Sequence, residues 1–162
     1  MAHGEEALTK VHINLPNHWA TDGESMWALP LGNDLYELRN TPFHAYDLNW
    51  GDVVRATEDN PNLKPEIREV VSPSGRKTLR VMFSDEIDEE SQNSILDSLT
   101  VLNLSYERAD GRLVAIDVHP TADYQAVCDK LWKLEQAETL YYETCEARVP
   151  GSFDGLAEAE EE

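Results

Sequence analysis

The chain has 162 residues, with 32 acidic against 13 basic side chains and a formal net charge of −19. Nucleic acid is excluded as an expected partner, because phosphate contacts need lysine and arginine. No apolar run approaches the roughly 20 residues that cross a bilayer, while 41% hydrophobic content is enough to bury a core.

The first nine residues are expected to be disordered. Met1–Glu6 lacks the basic and apolar regions of a signal peptide, which makes the cytoplasm the expected compartment. Residues 10–75 then read as a small all-β unit. Lys10 to Leu15 alternates, with Val11, Ile13 and Leu15 on one face. Ser25–Leu31 and Leu35–Leu38 are two extended runs joined through Gly32-Asn33-Asp34, a good turn. A loop from Asn40 delivers the chain through Gly51-Asp52 into a strand over Val53–Thr57. A last strand over Ile67–Val71 is ended by Ser72-Pro73-Ser74-Gly75. Five short strands without a helix predict a strongly bent β-barrel or an open sheet.

Residues 76–150 read differently. Leu79, Val81 and Phe83 share one face of a strand over Thr78–Ser84. The acidic turn Asp85–Glu90 suits a helix N-terminus, where the macrodipole is positive. The helix itself is expected from about Glu89 to Leu102, on the spacing of Ile95, Leu96, Leu99 and Leu102, with Asn103 as a left-handed cap. A hairpin over Leu104–Arg108 and Arg112–Val118 turns at Ala109-Asp110-Gly111. Thr121 is a good N-cap for a second helix over Ala122–Glu138, whose stripe is Tyr124, Val127, Cys128, Leu131 and Leu134. Leu140–Arg148 closes the sheet. Two helices interleaved with four strands in this order predict a ferredoxin-like βαββαβ unit, making the whole chain α+β. The tail Gly151–Glu162 carries five acids and no base and is expected to be disordered.

Three motifs carry a resemblance. Glu24-Ser25-Met26-Trp27-Ala28, Tyr36–Phe43 and Leu48–Val54, extended by Ser74–Val81, resemble a family of small bacterial proteins known only as a domain of unknown function. The resemblance covers most of residues 10–147. It implies bacterial origin and supplies no activity, substrate or cofactor.

Candidate chemistry centres on one segment. Phe43, His44, Tyr46, Asp47, Trp50 and Asp52 bring polar groups among aromatics on a loop, the composition of a ligand pocket. His44 and Asp52 are the candidate acid–base pair. The alternative is structural: Phe43, Leu48 and Trp50 plug the barrel and Asp52 caps a turn. Arg76, Lys77 and Arg80 form the one basic cluster, suited either to an anion or to ion pairing within an acidic chain. Trp132, Tyr141 and Tyr142 form either an exposed aromatic interface or part of a wide buried stripe. Cys128 and Cys145 read as reduced core thiols. His12, His18 and His119 lack metal-ligand spacing, and there is no phosphate-cradling glycine loop or nucleophile elbow. No cofactor or metal is expected.

These features lead to a non-enzymatic cytoplasmic module that engages a basic protein partner, as an immunity or antitoxin-like factor would. Two alternatives stand beside it. One is a small-molecule binder or enzyme using the 43–52 loop; the other is an acidic halotolerant protein whose charge is adaptive.

Overall fold

The computed structural model describes residues 7–109, 112–147 and 152–154. The chain divides into two units, one of residues up to Ser74 together with those from Glu146 onward, the other Gly75–Cys145.

The first unit is a closed five-stranded barrel: β1 (Thr9–Asn14), β2 (Gly23–Gly32), β3 (Leu35–Leu38), β4 (Val53–Thr57) and β5 (Glu66–Ser72). Successive strands pair antiparallel, and a parallel contact at His12↔Glu66 closes the ring. Of the barrel and the open sheet that the sequence allowed, the chain thus forms the barrel. Register shifts between Pro30 and Gly32 and at two points of β4–β5 supply the bulges that let so few strands curl. The turn between β2 and β3 runs through positive φ at Gly32, Asn33 and Asp34, which these residue types tolerate. Period-two alternation sends Val11, Ile13, Met26, Ala28, Val54 and Ala56 inward, and Leu15 and Leu48 complete the core from flanking loops.

Residues 152–154 of the tail are held against the first unit. Phe153 packs against the barrel core and its carbonyl accepts the Tyr46 N–H at 2.8 Å. The Asp154 carboxylate accepts the backbone and side-chain N–H groups of Asn17 at 3.0 and 3.1 Å. One aromatic side chain anchors a segment whose overall composition reads as solvated. The rest of the tail and residues 1–6 lie outside the described residues.

The second unit runs β6 (Lys77–Phe83), α1 (Glu89–Leu99), a 3-10 turn (Thr100–Leu102), β7 (Leu104–Arg108), β8 (Leu113–Val118), α2 (Tyr124–Gln136) and β9 (Leu140–Thr144). Its four strands form one antiparallel sheet in the order β7-β8-β6-β9. Leu79, Val81, Phe83, Val114, Ile116 and Val118 meet Leu96, Leu99, Val127 and Leu131 of the two helices in one core. Truncating one of these fully buried leucines to alanine would cost about 2–5 kcal/mol.

Three boundaries differ from the sequence reading. Helix α1 gives way after Leu99 to a 3-10 turn, which still ends on the expected left-handed Asn103 (φ 66°). Helix α2 starts later, because Asp123 and not Thr121 is the N-cap, accepting the Ala126 N–H at 3.1 Å. The Thr121 hydroxyl is engaged instead with His119 Nδ1 at 2.9 Å and with Asn103. Strand β9 stops at Thr144, so Cys145 lies just past it. The expected hairpin turn at Asp110-Gly111 and the expected strand end at Arg148 fall outside the described residues.

Candidate functional site

The loop between β3 and β4 is organised by carboxylates. Glu24, at the start of β2, accepts the backbone N–H groups of Phe43, His44 and Ala45 at 2.6, 3.0 and 3.0 Å. Three converging N–H groups form a nest that suits an anion, and charge-assisted bonds of this kind are the stronger ones. The following turn is closed by Asp52, which is 1% exposed. Its Oδ2 accepts the Asn49 N–H at 2.9 Å and its Oδ1 accepts the Ser74 N–H at 2.8 Å. The Ser74 hydroxyl donates back to the Trp50 carbonyl at 2.8 Å. Burial pushes the Asp52 carboxyl up from its ordinary value, and the hydrogen bonds from Ser74 and Asn49 oppose that.

This geometry separates the residues that the sequence grouped. Both Asp52 oxygens are occupied by backbone donors, and neither meets His44. The His44 ring lies edge-on to His18 at 5.4 Å, and His18 also stacks on Trp19 at 5.7 Å and approaches Tyr46 at 6.3 Å. Trp50 is half-buried beneath the Arg39 guanidinium at 5.7 Å, and Phe43 is half-buried. Leu48 sits wholly in the barrel core. Asp47, at φ 61°, accepts the Ala147 N–H through Oδ1 at 2.7 Å.

Asp47 and Asp52 line a cleft of about 390 Å³ with Asn49. Its other wall is Arg68, Glu69, Val70 and Pro73 from β5 and the turn after it, together with Phe153. Arg68 is held by Glu66 at 3.5 Å and by the Thr57 hydroxyl at 2.9 Å. The cleft therefore carries charge of both signs, with the carboxylates of Asp47, Asp52 and Glu69 against the one guanidinium of Arg68. Arg68, Glu69, Phe153 and Trp19 were not singled out from sequence, and His18 was weighed there only as a metal ligand. They come from positions far along the chain, and no local pattern marks them.

In the second unit the basic cluster is occupied by partners within the chain. Arg76 Nη1 donates to Asp117 Oδ2 at 2.7 Å, and Arg80, 3% exposed, donates through Nε to Glu143 at 2.9 Å. The Lys77 ammonium lies 5.3 Å over the Tyr124 ring. Of the three interface candidates, Trp132 and Tyr141 are 54% and 69% exposed. Tyr142 packs against the core instead, as alternation along a strand requires of the neighbour of an exposed residue. Burial pushes its phenol up. Cys128 and Cys145 are free thiols, half-buried and buried. Among the described residues no cluster of His, Cys, Asp or Glu could hold a metal ion, and no helix is long and apolar enough to cross a membrane.

Residues 24–142 match a family described as a domain of unknown function, DUF4265. The chain belongs to this family. The DUF4265 match runs from β2 into β9 and takes in all three sequence motifs that carried the resemblance. A hypothetical protein from Neisseria gonorrhoeae has a similar solved structure, with a TM-score of 0.74 at 12% sequence identity. The likeness covers 88% of this chain and 96% of that one. At this identity it shows a shared fold alone, within a bacterial protein. No curated protein matches the chain.

Proposed function

We propose that this DUF4265 protein is a non-enzymatic, cytoplasmic binding module that engages a basic protein partner through its acidic surface, as an immunity or antitoxin-like factor does. One observation carries the reading. Asp85, Glu86, Asp88, Glu89 and Glu90 are all exposed on the turn into α1 and its first residues. None forms an ion pair with a described residue. Asp88 alone has a structural task, accepting the Ser91 N–H at 2.8 Å. Five like charges in so short a run repel one another, and a cationic surface would relieve that repulsion. Their summed field would also steer a basic partner and make association salt-sensitive. Exposed Trp132 and Tyr141 are the apolar anchors in this reading.

The scaffold in this proposal is a ferredoxin-like unit formed by the second half of the chain. The order β-α-β-β-α-β with sheet order β7-β8-β6-β9 supports it. The test is capture from a lysate of the native host on the immobilised protein, eluted by rising salt. A basic protein retained in stoichiometric amount and released by salt is the expected result. Retention of no basic protein would overturn the proposal.

A second reading rests on the cleft of about 390 Å³ at Asp47, Asp52 and Glu69, which is large enough for a small ligand. A metabolite bound there in a crystal structure, with no partner captured, would favour it.

A further inference from the structure

Ser25 of β2 and His12 of β1 are paired directly across the barrel wall. Both belong to its outer face, since their neighbours Val11, Ile13 and Met26 point inward. The Ser25 Oγ lies 3.2 Å from His12 Nδ1, and His12 Nε2 lies 3.0 Å from Asn14 Oδ1. An oxygen opposite Nε2 makes that nitrogen the donor, which leaves Nδ1 to accept the Ser25 hydroxyl proton.

Separate parts of the first unit build this arrangement. Gly23, two residues before Ser25, clears the space that the imidazole fills. A Cβ there would lie 2.7 Å from His12 Nε2 and 2.9 Å from the Ile13 carbonyl oxygen. The His12 N–H donates to the Pro65 carbonyl at 2.8 Å, which ties the segment before β5 to β1. Lys64, the residue before that proline, donates through Nζ to the same Ser25 Oγ at 3.0 Å. It makes no ion pair with a described residue, although the chain holds 32 acids. The hydroxyl thus receives a hydrogen bond from an ammonium and gives its own proton to an imidazole that a third side chain orients. This is the geometry of a nucleophile, its base and an orienting group. The ammonium also lowers the cost of negative charge on Oγ and on an oxyanion formed next to it. Ser25 is half-buried and Lys64 exposed, so the group is approached from solvent.

We propose that Ser25 is a nucleophilic serine that takes an acyl group from an ester or thioester, with His12 as its general base, Asn14 as the positioning residue and Lys64 as the cation facing the oxyanion. The Oγ–C bond forms as the hydroxyl proton passes to His12 Nδ1. The C–O or C–S bond to the leaving group then breaks, and the departing alkoxide or thiolate takes that proton from His12. The products are an O-acyl serine and a free alcohol or thiol. Uptake of a single acyl group needs no turnover, so the site stands or falls without the acidic docking surface and the barrel cleft.

The test treats the full chain with a fluorophosphonate, whose phosphorus is attacked by activated serines with loss of fluoride, and separately with p-nitrophenyl acetate. Peptide mapping should place the phosphonyl group on Ser25, and the ester should give a stoichiometric burst of p-nitrophenolate. Both should vanish in Ser25→Ala. His12→Gln, a substitution on the outer face, should keep the circular dichroism of the folded protein and slow phosphonylation about 100-fold, the low end of what a general base contributes. Asn14→Asp, at an exposed position, should speed it, because a carboxylate stabilises the imidazolium better than an amide does. Three results would each overturn the proposal: labelling of Ser25 no faster than that of the other serines, no burst beyond that of Ser25→Ala, or an unchanged rate in folded His12→Gln. Where His12→Gln does not fold, a rate in Asn14→Asp at or below that of wild type overturns it instead.

Discussion

Glu135 of α2 accepts the backbone N–H of Tyr142 at 3.0 Å. Tyr142 belongs to β9, the last strand of its sheet. Edge strands offer unpaired N–H groups to other chains, and proteins blunt them with charge. Here a helix carboxylate both occupies such a donor and leaves a negative charge at the edge.

Replacing Glu135 with alanine should therefore do two things. Loss of the hydrogen bond should cost about 1 kcal/mol in urea unfolding. The bared edge should raise self-association at high concentration, read by light scattering. Unchanged stability together with unchanged light scattering would show that Glu135 protects nothing.

Glu24 is expected to matter more. Its carboxylate holds three successive N–H groups of the loop that carries most of the candidate residues. Glu24→Ala should cost about 2 kcal/mol or more, since each bond is to a charged acceptor, and Glu24→Gln should cost less. Hydrogen exchange at Phe43, His44 and Ala45 should speed up in both. Exchange that stays slow at those three amides would refute the anchoring role.

Two glycines separate strain from crowding. Gly51 and Gly32 have φ of 86° and 90°. A Cβ at Gly51 would sit 3.1 Å from the Ser74 Cβ, whereas one at Gly32 would meet nothing within 4 Å. Gly32→Ala should cost about 1 kcal/mol from backbone strain alone. Gly51→Ala should cost more, because the Asp52–Ser74 contact must also shift. Equal losses in chemical denaturation would mean that the close approach to Ser74 is not felt.

The pH dependence follows from Asp117. Burial pushes its carboxyl up, and Arg76 opposes that shift. A folded carboxyl that keeps its proton to higher pH than in the unfolded chain stabilises the fold only while protonated. That contribution is present below the unfolded value of about 3.8 and is lost as pH rises through the raised folded value. Relative to wild type, Asp117→Asn should therefore gain stability as pH climbs from about 3.8. A difference that is flat with pH, or that moves the other way, would contradict the burial argument.

Much of the scaffold was legible because it rests on period and turn chemistry. Val11 and Ile13 alternate, Gly32-Asn33-Asp34 can take positive φ, and Leu96 and Leu99 lie on one helical face. The second N-cap was misread because Thr121 and Asp123 are both good caps, and only the competing bonds of Thr121 to His119 and Asn103 decide between them. The candidate loop was located, but its chemistry was not. Whether Asp52 is a base or a cap depends on Asn49 and on Ser74, which stands 22 positions away. Phe153 was invisible inside an acid-rich tail. Asp117 alternates with Ile116 and Val118 along β8, and nothing local reveals that its side of the strand is buried with Arg76.

The most direct test of the account compares capture by wild type with capture by a variant carrying Asp85→Asn, Glu86→Gln, Glu89→Gln and Glu90→Gln. Asp88 is left in place to keep the cap of α1. Both proteins should show the same circular dichroism and a cooperative melting transition. At low salt the wild type should retain a basic protein in stoichiometric amount and the variant should lose it. Equal retention by both, or retention of no basic protein by either, would contradict the claim that these carboxylates recognise a partner.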